Sequence, residues 1–209
     1  MCGRYYIGNG DVFQDLLKEA KQSAIARFLE EKQQIVKPSG EIFPMDTVPV
    51  IAYNRSGAVS VFPMVWGYTM KGRSGCVINA RAETAADKPM FRDGWKSHRC
   101  VIPASHYYEW RHEPSSETKK KTAEKYAIRP LEGGIVWLAG LYRMEEGIPH
   151  FVIVTKEPVP SIRFIHDRMP VMFDETSRLR WIHPDLKAEE VLQDAVTEVI
   201  FTPQETDLP

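Results

Sequence analysis

From Asp11 to Glu31, apolar side chains recur at Val12, Phe13, Leu16 and Leu17 and again at Ile25, Phe28 and Leu29. That i, i+3, i+4 spacing gathers them on one side of a 3.6-residue repeat, so it predicts one or two amphipathic helices, with Asp11 placed to cap the first. Further along, the period changes. Val48 to Tyr53 and Ala58 to Trp66 are β-rich runs on either side of Asn54-Arg55-Ser56-Gly57, and turn residues between two such runs predict a hairpin. More strands are expected at Cys100–Ile102, His106–Arg111, Lys125–Arg129, Ile135–Tyr142 and His150–Thr155. Glu113 to Ala123, with Lys119-Lys120-Lys121, reads as a polar solvated loop. Short helices are expected over Lys88–Lys96 and Pro160–Phe164, from Asp174 or Thr176 through Trp181, and over Lys187–Glu198. Strands dominate the middle and helices the ends, without βαβ alternation. The expected class is therefore α+β, one domain over residues 1–209 with a curved, barrel-like, mainly antiparallel β-sheet flanked by helices.

The chain has 209 residues, 43% hydrophobic and 26% charged, which suffices for one sizeable core. Its longest apolar runs, such as Gly134 to Leu141 and Phe151 to Thr155, are too short to cross a bilayer, and the amino terminus carries no apolar signal core. A soluble, cytosolic protein without a membrane partner is expected. Cys2, Cys76 and Cys100 are odd in number and form no C-x-x-C pair, which argues against a disulfide framework or a zinc knuckle. No metal or cofactor is expected; a zinc site from these three and a histidine has unsuitable spacing. Cys76 and Cys100 read as buried small hydrophobes. A formal net charge of −1 gives no global attraction to nucleic acid, so any such binding needs a local patch. Arg81, Arg92, Lys96, Arg99 and Arg111 are interleaved with Phe91, Trp95 and Trp110. That mixture suits single-stranded nucleic acid, although the same composition also describes a solvated face over core aromatics.

Candidate chemistry begins at Met1-Cys2-Gly3-Arg4. Removal of Met1 would leave an α-amine and a thiol on one residue, with ordinary pKa values of about 8 and about 8.5. Such an aminothiol condenses with an aldehyde to an imine and then closes a thiazolidine ring; an internal cysteine gives only a labile hemithioacetal. Three other segments carry polar residues that a core does not select: Asn79-Ala80-Arg81-Ala82-Glu83-Thr84, Tyr108-Glu109-Trp110 and His166-Asp167-Arg168-Met169-Pro170. Taken singly, Glu109 also fits an exposed strand position, His166 a core histidine and Asn79 a turn or cap.

Taken together and in this order, Cys2-Gly3-Arg4, NARAET at 79–84, YEW at 108–110 and HDRMP at 166–170 resemble the SRAP family (SOS response-associated peptidase), whose members shield abasic sites in single-stranded DNA. Trp66-Gly67, Lys88-Pro89-Met90-Phe91-Arg92 and the Val152–Thr155 strand agree. The resemblance implies a covalent crosslink between Cys2 and the C1′ aldehyde of a ring-opened abasic sugar. Asn79 would hold the sugar or the terminus. Glu109, raised by its aromatic surroundings, and His166 would move protons. An abasic-site lyase side activity is also implied, because the imine acidifies the neighbouring sugar carbon. Arg4 and Arg81 would grip phosphates, with Thr155 as a further donor, Trp66 and Trp110 against bases, and Arg92 and Arg168 as secondary contacts. Arg168 has the alternative of pairing with Asp167 or Glu83. The partner implied is single-stranded DNA with abasic sites, including single-strand/double-strand junctions, with no obligate protein partner. In a bacterium the protein would be nucleoid-associated. Two rival activities remain: a cysteine (auto)peptidase built on Cys2, His166 and Glu109, and a non-covalent single-strand or junction sensor. The chain departs from the family pattern after Trp66-Gly67, which lacks a following proline, at Glu41-Ile42-Phe43-Pro44, which lacks the preceding Tyr-Asn, and in its tail from Phe201 onward.

Overall fold

The computed structural model describes residues 2–70, 72, 74–112 and 123–204; the polar segment 113–122 and Met1 lie outside them. Strand β1 (Arg4–Ile7) leads into helices α1 (Asp11–Gln22) and α2 (Ala24–Glu31), followed by β2 (Gly40–Ile42). The long apolar periodicity divides at Ser23, whose extended backbone interrupts the helix. Its hydroxyl donates to the Ala20 carbonyl (2.7 Å) and accepts from the Ala26 amide (3.2 Å), ending α1 and capping α2 at once. The expected hairpin follows as β3 (Thr47–Tyr53) and β4 (Val59–Trp66). Short pieces come next: β5 (Tyr68–Thr69), β6 (Cys76–Val77), β7 (Asn79–Arg81), α3 (Ala82–Ala85) and α4 (Arg92–Ser97). Then come β8 (Arg99–Ala104), β9 (His106–His112), β10 (Ala123–Pro130), β11 (Val136–Glu145) and β12 (Ile148–Lys156). The chain continues through β13 (Met169–Pro170), β14 (Met172–Phe173), α5 (Ser177–Ile182), α6 (Ala188–Val191) and β15 (Val199–Gln204).

Five strands close on themselves. β12 pairs with β4, β4 with β3, β3 with β8, β8 with β11, and β11 again with β12. All but the parallel β12–β4 pair are antiparallel, which gives the barrel-like α+β architecture expected. Side chains on these strands alternate between two clusters, as the two-residue period of a strand requires. Val136 and Leu138 face Cys2, Tyr5, Ile7, Tyr107 and Ile128, whereas Trp137, Ala139 and Leu141 face Trp95, Trp181, Ala188 and Val191 near the helices. A second sheet, in the order β15-β10-β9-β1-β2, contributes its inner face to the first cluster. Gly67 turns the chain out of β4 at φ +120°, where a Cβ would lie 2.9 Å from the Cys76 sulfur; only glycine fits this close approach.

The helical expectations around residues 88–96 and 187–198 need correction. The first region is helical only over Arg92–Ser97. In the second, α6 stops at Val191 and a 3-10 turn at Leu192–Asp194 ends it. The Val196 amide then donates to the Met172 carbonyl (2.8 Å), and the β-branched stretch beyond pairs with β10 as β15. The region expected as a helix at Pro160–Phe164 is a 3-10 turn over Pro160–Ile162. Cys100 is fully buried as expected, but Cys76 is only partly so. Among the described residues no helix is long and apolar enough to cross a bilayer.

Arg99, read from the sequence as part of a surface patch, is buried. Its guanidinium donates to the carbonyls of Trp181 (2.5 Å), Trp95 (3.0 Å), His183 (2.5 Å) and Leu186 (2.7 Å). These carbonyls lie at the ends of α4 and α5 and in the turn beyond, where helices leave acceptors unpaired. One cation thus satisfies two helix termini against the barrel. Replacing it with Met, which keeps the bulk but not the donors, is expected to destabilise the fold by about 3 kcal/mol or more. The shift in urea midpoint measures this; a change under ~1 kcal/mol would contradict the assignment.

Candidate functional site

Cys2 is fully buried, immediately before β1. β1 lies between β2 and β9, with Arg4 opposite Tyr108 and Tyr5 opposite Tyr107. Alternation along β9 turns Tyr107 and Glu109 toward the core side and Tyr108 and Trp110 to the outer side. Asn79 opens β7, which runs parallel to β12 with Asn79 opposite Ile153. From there its side-chain amide donates to the Cys2 carbonyl oxygen at 2.9 Å. His166 stands on the loop before β13, its Nε2 3.9 Å from Glu109 Oε2. Cys2, Asn79, Glu109 and His166, scattered over most of the sequence, therefore meet at one place.

The electrostatics of this group follow from its burial. Removal from water pushes the Glu109 carboxyl up to about 7, and the charge of Asp167 adds to the rise. The Cys2 thiol is also raised, by burial first and by Glu109 second. His166 Nδ1 accepts the Arg168 backbone N–H (3.0 Å) and lies 2.8 Å from Asp167 Oδ1. The first contact favours a free lone pair on Nδ1; the second favours a proton there. At 3.9 Å, His166 Nε2 and Glu109 Oε2 are within ion-pair range but beyond a direct hydrogen bond. The buried Tyr5 and Tyr107 hydroxyls and Asn79 Oδ1 have no hydrogen-bond partner among the described residues. Both tyrosines feel the Cys2 charge after the larger effect of burial. Such orphaned polar atoms are rare in a core.

The expected DNA-contact residues divide. Arg81 is exposed at the end of β7, and Trp110 is half-buried on the outer face of β9. Arg4 is paired with Glu41 (3.2 Å) and lies over the Phe43 ring (3.8 Å), so a phosphate there competes with a carboxylate. Lys125 shares Glu41 at 2.7 Å; burial raises the Glu41 carboxyl, but these two cations outweigh it and hold it low. Trp66 needs correction. It is fully buried, packs on Tyr5 and Phe151, and donates Nε1 to the Ile78 carbonyl (3.1 Å), so its ring is not offered to bases. Thr155 is likewise buried, with its hydroxyl directed at the Ala80 carbonyl (3.4 Å), rather than aimed at a phosphate. Arg168 takes the alternative role: it grips both oxygens of Glu83 (2.9 and 2.8 Å) and donates to the Thr155 carbonyl (2.7 Å). It thereby joins the 166–170 and 79–84 segments. Arg92 stands exposed on α4 beside Asp93 (3.9 Å). Among the described residues no three His, Cys, Asp or Glu side chains gather as metal ligands.

Fold and site together define a small α+β protein with a residue-2 cysteine buried against an acid–base pair. A family model described as SOS response associated peptidase (SRAP) matches residues 1–206, and the chain belongs to that family. It is 31% identical over 207 residues to the abasic site processing protein YoqW of Bacillus subtilis (strain 168), covering 92% of this chain and 85% of that protein. The abasic site processing protein YedK of Escherichia coli (strain K12) is 24% identical over 214 residues, covering 94% of this chain and 86% of its own length. Among solved structures, a phage-related protein from Bordetella bronchiseptica shares the fold with a TM-score of 0.74 at 23% identity, over 98% of this chain and 95% of that one. A protein from Bacteroides thetaiotaomicron does so with a TM-score of 0.74 at 20% identity, over 99% and 93%.

Burial of Glu109 has a consequence for stability. Below pH about 4.5 the carboxyl is protonated both folded and unfolded; between there and about 7 the folded chain keeps a proton that the unfolded chain has released. Stability therefore falls as pH rises through that window. The urea midpoint of the wild type is expected to fall relative to Glu109→Gln between pH 4.5 and 7; parallel pH profiles would show that Glu109 titrates normally.

Proposed function

We propose that this protein processes abasic sites in single-stranded DNA by forming a covalent thiazolidine crosslink through Cys2 once Met1 has been removed. The observation that carries this reading is the Asn79 bond to the Cys2 carbonyl, which fixes residue 2 beside a carboxyl raised to about 7. The relatives' names, abasic site processing proteins, point to the same substrate.

The chemistry balances without any further reagent. The free α-amine of Cys2 adds to the C1′ aldehyde, giving a carbinolamine; protonation of its hydroxyl releases water and leaves an imine protonated on nitrogen. The thiol then adds to the imine carbon and gives up its proton as the ring closes. Glu109, near half-protonated at neutral pH, supplies the proton for water loss and accepts the one released by the thiol. His166 assists opening of the cyclic sugar by moving a proton between its ring oxygen and 1′-hydroxyl. Closure also removes the C=N bond. While that bond persists it acidifies C2′, and loss of a C2′ proton with departure of the 3′ phosphate would cleave the strand; ring closure thus limits the lyase side reaction. The peptidase rival needs a thiolate nucleophile, which the buried, raised Cys2 thiol opposes.

Protein lacking Met1, incubated with an oligonucleotide holding one abasic site, is expected to give a heat-stable adduct visible as a shifted band. Cys2→Ala and Cys2→Ser should abolish it, and Glu109→Ala and His166→Ala should each slow it roughly 100-fold. An adduct that persists in Cys2→Ala, or one formed equally by chain retaining Met1, would sink the thiazolidine reading.

A further inference from the structure

Next to the acid–base pair lies an aromatic cluster that the mechanism does not use. Phe164, two residues before His166, meets Phe201 of β15 edge to face, with ring centroids 5.2 Å apart at 69°. Both rings pack on Tyr126 of β10, at 5.9 and 5.8 Å. Tyr126 is buried and sits directly opposite Glu109 in the β9–β10 pairing. Its hydroxyl donates to Glu124, which fixes the ring. Phe164 and Phe201, by contrast, remain 47% and 38% exposed. Arg111 follows Glu109 on the same face of β9, one side-chain repeat or about 6.6 Å further along, and its guanidinium lies 5.7 Å from the Phe164 centroid. Arg163 is exposed immediately before Phe164.

Single exposed apolar residues need no explanation, but two touching phenylalanines beside arginines, one of which lies one repeat from Glu109, form a patch with definite chemistry. Aromatic faces flanked by cations are what single-stranded nucleic acid binds, the rings stacking on bases and the cations following phosphates. An abasic nucleotide has no base of its own to anchor it. Trp66, in the core, cannot supply a stacking face either. We infer that Phe164 and Phe201, with Arg111 at their edge, form a shelf that stacks the base next to the abasic sugar and so sets the sugar against Cys2. This rests on the proposed function for the identity of the strand, and the shelf binds the neighbour of the lesion rather than the lesion.

The test separates binding from chemistry. Affinity is measured by fluorescence anisotropy on single-stranded oligonucleotides carrying a tetrahydrofuran, an unreactive abasic analogue, with a base retained on both sides or removed from one side. Removal on one of the two sides is expected to weaken wild-type binding roughly tenfold. Phe164→Ala and Phe201→Ala should erase that difference, whereas Phe164→Trp, which keeps an aromatic face, should preserve it. Adduct formation with 2-deoxyribose 5-phosphate, which has no neighbouring base, should stay within about twofold of wild type in all three variants. Retention of the neighbour effect in both alanine variants would overturn the shelf. So would equal weakening on every oligonucleotide, or loss of reaction with the free sugar phosphate, since either means that the cluster only anchors the His166 loop. If wild type forms no adduct with any aldehyde, the covalent reading fails, and the anisotropy comparison still decides the shelf.

Discussion

The Asn79 side-chain amide, donating to the carbonyl of Cys2 at 2.9 Å, is the bond on which the geometry of the site depends. Cys2 belongs to the run of chain that enters the smaller sheet through β1, whereas Asn79 belongs to β7, held on β12 of the closed ring. The bond therefore crosses between two sheets and fixes Cys2 relative to both. Residues near a chain end are ordinarily among the freest in a protein. Cys2 is buried, and burying its backbone requires that its polar groups find partners.

That same burial sets the chemistry. The Glu109 carboxyl, one strand away from Cys2, loses its water and rises to about 7. Arg168 does the opposite for Glu83: partial burial raises that carboxyl, but the bidentate grip of the guanidinium outweighs it and keeps it below its ordinary value. The two acids thus take different roles in neighbouring segments. Glu83 with Arg168 ties the 79–84 segment to the loop that carries His166, while burial dominates the environment of Glu109. The separation is one of environment, not residue type.

Legibility of the fold tracked the length and regularity of each element. The α1–α2 region, the β3–β4 hairpin and strands β9 to β12 have long periodic patterns and were readable from them. β1, β2 and β5 to β7 were not, because two to four residues carry too little periodicity; these strands exist through pairing with distant partners, as Tyr5 does with both Ile42 and Tyr107. β15 was hidden for a different reason. The stretch from Lys187 begins with helix formers and its later Val, Ile and Phe fit either period, so the edge of β10 decides the outcome. At the site, Cys2, Asn79, Glu109 and His166 were legible only as four ordered motifs, since each alone has an ordinary structural explanation. Tyr5 was missed: within Arg4-Tyr5-Tyr6-Ile7 the alternation that turns Tyr5 inward and Tyr6 outward is visible, but the orphaned hydroxyl is a property of the assembled core.

Trp66 shows why a motif residue close to a site need not touch the substrate. Its indole donates to the Ile78 carbonyl at 3.1 Å, and the same carbonyl accepts the Ile153 amide at 3.0 Å. Two donors, one from β4 and one from β12, thereby fix the peptide that precedes Asn79. The Trp66 ring lies against Tyr5 on one side and Phe151 on the other, so it also joins β1 to the ring. A change at Trp66 would displace Asn79 through Ile78 and Cys2 through Tyr5 together, moving both ends of the bond that holds residue 2. The tryptophan acts on the Cys2–Asn79 bond by placing both of its ends.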